Sequence, residues 1–149
     1  MKKAFKLLTL FVAVASMAFI TSCTKDKEDL ILGKWQFEKA NIQFNLDDPE
    51  MQAFMEQFLE EEIQEMNEEM QSSKLEFKSD HTFASIDQDN YSSYGTWSIN
   101  GDQLTVDGEV LTIKSLTQKS LILEMVDTLT EEEDGLSGTY VMTLEYKRI

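Results

Sequence analysis

Residues 92–116 read Ser92-Ser93-Tyr94-Gly95-Thr96-Trp97-Ser98-Ile99-Asn100-Gly101-Asp102-Gln103-Leu104-Thr105-Val106-Asp107-Gly108-Glu109-Val110-Leu111-Thr112-Ile113-Lys114-Ser115-Leu116, and this stretch decides the fold. β-Branched and aromatic residues alternate with polar ones in three short runs, Ser92 to Ile99, Gln103 to Val106 and Val110 to Leu116, so each run reads as a half-buried strand. The breaks between them are Asn100-Gly101-Asp102 and Asp107-Gly108. Asn-Gly and Asp-Gly tolerate positive φ at both central positions of a tight hairpin, and a tight hairpin makes its two strands antiparallel. The three runs therefore form a meander.

The same pattern extends in both directions. Strands are expected at Lys34 to Asn45, Lys74 to Lys78 and Thr82 to Asp87, and again at Ser120 to Asp127 and Gly138 to Lys147. A meander of that many strands with one apolar face removes its exposed edges by closing on itself. The expected fold is mainly β, an eight-stranded antiparallel up-and-down barrel. Leu75, Phe77, Leu104, Val106, Leu111 and Ile113 supply its inward face. The first strand changes phase, because Trp35 and Phe37 are odd-numbered whereas Ile42, Phe44 and Leu46 are even. A bulge or bend around Glu38 to Asn41 puts both sets on one core face. Leu121 to Val126 is apolar on both faces, so its outer side is expected to meet another element.

The spare element is one long amphipathic helix inserted between strands 1 and 2, about residues 48–72. Asp48 suits the N-cap, Pro49 the first helical position, and Glu50 the positive end of the macrodipole. Met51, Phe54, Met55, Phe58, Leu59, Ile63, Met66 and Met70 recur at three- and four-residue spacing and make one apolar stripe. Glu56, Glu60, Glu61, Glu62, Glu65, Glu68 and Glu69 have no lysine among them to offset their repulsion, so tertiary contact must hold the helix.

Before the barrel, Lys2, Lys3 and Lys6 precede an apolar run from Leu7 to Ile20 that is too short to span a bilayer permanently. It ends in Ile20-Thr21-Ser22-Cys23, which resembles a relaxed lipobox of bacterial lipoproteins. That resemblance implies a lipoprotein signal peptide over residues 1–22, cleavage before Cys23 and acylation, with palmitate among the chains, of Cys23. Residues 23–30 then form the lipidated cysteine and a charged, polar tether, and residues 31–149 the barrel domain. The expected address is the cell envelope, as an outer-membrane lipoprotein facing the periplasm or the cell surface. Loss of three lysines with the signal takes the net charge from −15 to −18. So acidic a surface opposes contact with phosphate backbones, and nucleic acid is not expected as a partner.

Gly33-Lys34-Trp35 opens the first strand and Arg148 closes the last, a pairing that resembles the lipocalin signature. The resemblance implies that Trp35 closes the narrow end of the barrel and that Arg148, or Lys147, covers its ring by a cation-π contact. A second Gly-x-Trp, Gly95-Thr96-Trp97, and the run Leu75 to Phe83 resemble the lipocalin-like lipoproteins of Bacteroidetes, calycin-like barrels. The long helix stands where typical lipocalins carry a loop over the open mouth.

No nucleophile signature, zinc set or complete calcium loop is present, so no catalytic residue, metal or cofactor is expected. His81, the single histidine, suits a hairpin tip, where histidine accepts left-handed geometry. Asp87 to Asn90 imitates the start of a calcium loop, but Ser92 and Ser98 occupy the positions that need glycine and a closing acid. Glu131 to Gly135 reads as a solvated acidic loop. The methionine-rich stripe is the candidate binding feature, since unbranched thioethers adapt to exchanging apolar partners. A ligand cavity under it would be lined by Phe37, Phe44, Phe77, Phe83 and Leu104 from strands and by Met51, Met55 and Phe58 from the helix. Two readings stay open: a non-enzymatic carrier of a small apolar or amphipathic ligand, or a scaffold whose acidic face or helix meets an envelope protein partner.

Overall fold

A computed structural model describes residues 26–87, 92–131 and 136–149 of the chain. In chain order these form α1 (Lys27–Ile31), β1 (Gly33–Leu46), α2 (Pro49–Met70), β2 (Lys74–Phe77), β3 (Thr82–Ile86), β4 (Ser92–Asn100), β5 (Gln103–Val106), β6 (Glu109–Leu116), β7 (Ser120–Glu131) and β8 (Leu136–Arg148). The eight strands pair antiparallel in sequence order and close into a barrel as β1 meets β8. Cys23 and the acyl site it would form lie outside the described residues, as do residues 88–91 and 132–135 of the two acidic loops.

Turn chemistry sets the register. Asp107 and Gly108 both take positive φ, 52° and 93°, between the paired residues Val106 and Glu109. At the other hairpin Asn100 pairs with Gln103, so the central residues are Gly101 and Asp102, and Gly101 alone has positive φ. That is the type II′ arrangement, one residue further along than the Asn-Gly pair suggests. His81 sits at φ 62°, in the left-handed region expected of it.

The phase change in β1 is resolved by a bulge. Register against β8 shifts between Phe37 and Lys39, so Trp35, Phe37 and Ala40 are all buried and Ile42, Phe44 and Leu46 continue on the same face, half-buried. A second bulge between Ile113 and Ser115 does the same for β6. The interior is packed with Trp35, Phe37, Phe77, Phe83, Trp97, Leu104, Ile113, Leu121, Leu123 and Tyr146, all buried. Each large side chain moved out of water in this way contributes about 1.5–3 kcal/mol, and aromatic edges fill the centre: Phe77 meets Trp97 at 5.7 Å and 83°.

Strand lengths are uneven, and this places the helix. β2 has 4 residues whereas β1 has 14, so β2 pairs only with Gly33 to Gln36. Past the bulge β1 keeps β8 on one side and has α2 on the other. Asp48 caps α2 by accepting the amides of Glu50 and Met51 at 2.8 and 3.2 Å. Over 22 residues α2 runs ~33 Å. The helix therefore packs on the free edge of β1 rather than on the outer face of β7, where Val126 stays 57% exposed.

Residues 27–31 differ from a simple tether. They form the one-turn α1, whose Ile31 is fully buried. Side-chain bonds from three residues order it: Trp35 Nε1 donates to the Ile31 carbonyl at 2.7 Å, Arg148 donates to the carbonyls of Leu30 and Leu32, and Lys27 donates to the Gly101 carbonyl at 3.1 Å and pairs with Asp102.

Candidate functional site

The closed end of the barrel is built on Trp35 and Arg148. The guanidinium carbon of Arg148 lies 4.3 Å from the Trp35 ring centre, while its Nε donates to the Gln118 carbonyl at 2.8 Å and its Nη1 to the Leu32 carbonyl at 2.6 Å. Gly33 makes room for this, because a Cβ there would stand 2.9 Å from Arg148 Nη1. Gly95 has a parallel role: a Cβ would meet the Phe83 ring at 2.5 Å. Trp97 Nε1 donates to the Lys78 carbonyl at 3.1 Å. Lys147 instead pairs with Glu38 at 3.6 Å on the surface.

At the other end, α2 takes the place of a strand neighbour for β1. The Asn67 carboxamide accepts the Ala40 N–H through Oδ1 at 2.6 Å and donates through Nδ2 to the Ala40 carbonyl at 3.0 Å. Gln52 repeats the device, accepting the Leu46 N–H and donating to the Phe44 carbonyl, both at 2.9 Å. A carboxamide carries the same donor and acceptor as a peptide group, so these two side chains satisfy edge groups that a longer β2 would have paired. Neither residue stands out in sequence beyond being an uncharged amide on a glutamate-rich helix.

The eight side chains expected to line a cavity fall into two sets. Phe37, Phe77, Phe83 and Leu104 are buried in the barrel core, with Phe37 edge-on to Tyr146 at 5.8 Å and Phe77 beside Phe83 at 6.5 Å. Phe44, Met51, Met55 and Phe58 belong to the helix end, where Phe44 leans on Tyr140 at 5.3 Å. Leu59, buried, links that second set. On one side of it an open groove of about 350 Å³ is lined by Ile42, Phe44, Gln52 and Glu56. On the other side an open hollow of about 210 Å³ is lined by Phe54, Met55, Phe58 and Glu62.

Phe54 and Phe58 remain 55% and 51% exposed although their ring centres lie 4.8 Å apart, with planes tilted by 51°. Helical geometry explains this: nine residues at about 100° each put Phe58 on the side of α2 opposite Asn67, which grips β1. The apolar stripe is thus wider than the strand edge it covers.

Burial also acts on ionisation. The Tyr146 hydroxyl is pushed up to about 12 by desolvation, and burial raises Tyr140 in the same direction. Asp80, beside His81, accepts the Thr82 hydroxyl at 2.6 Å and the Thr82 amide at 3.0 Å, which hold its carboxyl below the ordinary range. Those bonds stabilise the turn. Among the described residues no cluster of three or more histidines, cysteines or carboxylates is placed to hold a metal.

A closed antiparallel meander of eight strands, with a tryptophan at the start of the first and an arginine from the last across its ring, defines a lipocalin-like barrel. The family model of the lipocalin-like domain matches residues 31–123, and the chain belongs to that family. Such a fold typically binds small ligands rather than transforming them. Among solved structures, a DUF4847 family protein from Bacteroides vulgatus ATCC 8482 is similar over 78% of this chain and 94% of its own, at 14% identity and a TM-score of 0.43. No curated protein matches.

Proposed function

We propose that this protein is a lipoprotein of the cell envelope, held to the outer membrane through acylated Cys23, that binds a small apolar or amphipathic molecule without transforming it. One observation carries the ligand reading. Between α2 and β1 an open groove lined by Ile42, Phe44, Gln52, Glu56 and Leu59 has a volume of about 350 Å³, in the range of small-molecule sites, and across Leu59 the part of the apolar stripe that β1 leaves uncovered exposes Phe54 and Phe58. The barrel axis is packed with buried side chains, which supports the cleft between α2 and β1 as the binding place. A lipid anchor would keep that cleft where apolar molecules partition.

Among the described residues the helices and strands fall within residues 27–148, and residues 23–149 with Cys23→Ser serve for the test. A saturable titration with a neutral fluorescent apolar probe is expected, and it should be lost in Leu59→Asp while the circular dichroism of the barrel persists. Absence of saturation and of co-purifying ligand by native mass spectrometry would overturn the carrier. Incorporation of labelled palmitate that disappears in Cys23→Ser tests the anchor separately. A second reading, a protein-interaction scaffold, draws on the same exposed Phe54 and Phe58; it would gain if Phe58→Ser abolished a complex with an envelope protein and left probe binding intact.

A further inference from the structure

The cleft proposed above has a charge of one sign only, and this bears on what it accepts. From Ala40 to Ser73 the chain contains ten carboxylates, Asp47, Asp48, Glu50, Glu56, Glu60, Glu61, Glu62, Glu65, Glu68 and Glu69, and no lysine, arginine or histidine. The residues lining both the groove and the hollow come entirely from that stretch. Each depression has one carboxylate at its rim: Glu56 beside Ile42, Phe44 and Leu59, and Glu62 beside Phe54, Phe58 and Leu59. Among the described residues no lysine or arginine forms an ion pair with an α2 glutamate; the four ion pairs use Asp102, Glu145, Glu124 and Glu38.

We infer that the two depressions flanking Leu59 select amphipathic cations, with the apolar tail along Phe44 and Leu59 and the positive head against Glu56 in the groove, or with the tail along Leu59 and Phe58 and the head against Glu62 in the hollow. The inference rests on the ligand reading given above and narrows it. Glu62 follows Phe58 by four residues, so the two side chains stand one above the other about 6 Å apart along the helix. That places a carboxylate one headgroup beyond an aromatic ring. A fatty-acid carboxylate in the same pose meets like charge with no cation to offset it, whereas an ammonium relieves repulsion among glutamates that have no cationic partner among the described residues, Glu56 being bonded only to the neutral Gln52 carboxamide at 2.7 Å. The exposed faces of Phe54 and Phe58 add a cation-π surface for the same head.

The test is calorimetric titration of residues 23–149 carrying Cys23→Ser with three amphiphiles of equal chain length below their micelle concentrations: dodecyltrimethylammonium, dodecyldimethylphosphine oxide and dodecanoate. The cation is expected to bind about tenfold tighter than the neutral probe, and dodecanoate weakest, at ionic strength near 20 mM. Raising salt to about 500 mM should compress that order toward equality. Glu56→Gln with Glu62→Gln should remove the preference, bringing the ratio of cation to neutral-probe affinity to about one whatever the change in either affinity alone. Equal binding of cation and neutral probe, tighter binding of dodecanoate, or a preference that survives both substitutions would overturn the inference while the cleft remains a binding site. Failure of all three probes to bind would remove the ligand reading itself, and the charge selection with it.

Discussion

Arg148 lies with its guanidinium carbon 4.3 Å from the centre of the Trp35 ring and ties three carbonyls, those of Leu30, Leu32 and Gln118, into one fork. The carbonyls come from the C-terminal end of α1, 118 and 116 residues before Arg148, and from the β6–β7 turn, so a single side chain ties the start of the described chain and that turn to the end of β8.

Arg148→Ala should therefore be costly at the closed end of the barrel. Loss of the ring contact and of charged hydrogen bonds predicts a drop of about 2–4 kcal/mol, since partly buried acceptors are left without donors. Arg148→Lys should recover only part of it, because an ammonium cannot span the fork. Urea midpoints of the three proteins check this, and equal midpoints for Ala and Lys would contradict the fork. Amide exchange in residues 27–32 should accelerate in Arg148→Ala before that of β7 and β8.

Asn67→Ala tests how α2 is held. It strands the Ala40 N–H and carbonyl at a partly buried edge, which predicts about 1–3 kcal/mol of destabilisation. Asn67→Asp should be no better, because a carboxylate still accepts the amide but faces the Ala40 carbonyl with like polarity. The specific readout is cleavage of α2 by a glutamyl endopeptidase, which should speed up in both variants. Unchanged cleavage in Asn67→Ala would mean that the apolar stripe alone fixes the helix.

The meander was legible because its signals are local. Hairpin pairs, period-two alternation and the capped start of α2 at Asp48-Pro49 all lie within a few residues of what they specify, and the bulge in β1 followed from the parity of Trp35 and Phe37 against Ile42 and Phe44. What escaped was set by strand length. That β2 stops at Phe77, leaving β1 with an open edge, depends on how far two strands stay paired, and no residue of Lys74 to Lys78 announces it. The position of α2, the roles of Asn67 and Gln52 and the exposure of Phe54 all follow from that one length. In the same way α1 was hidden because Lys27 to Asp29 is charged, and its order comes from Trp35, Arg148 and the Gly101-Asp102 turn elsewhere in the chain.

Tyr146 gives the fold an alkaline limit. Its hydroxyl is raised from 10.0 to about 12 by burial, so the folded state holds the proton more tightly than the unfolded chain. The stability this represents is fully present below pH 10, and it is lost as pH rises from 10 through 12, by ~2–3 kcal/mol in all. Urea unfolding between those limits should show the decline, and Tyr146→Phe should flatten most of it. An equal slope in that variant would assign the loss to other groups, Tyr140 among them, which burial also raises.

Gly33→Ala separates backbone strain from crowding. At φ 115° an alanine is strained whatever surrounds it, and its Cβ would also stand 2.9 Å from Arg148 Nη1. Only the second cost depends on the arginine. Gly33→Ala should lower stability by about 1–3 kcal/mol, and part of that loss should vanish when it is made in an Arg148→Met background. A double-mutant cycle read from urea midpoints then gives a coupling of about 0.5–2 kcal/mol. Coupling near zero would show that the guanidinium moves aside without cost and that the glycine serves the backbone turn into β1 alone.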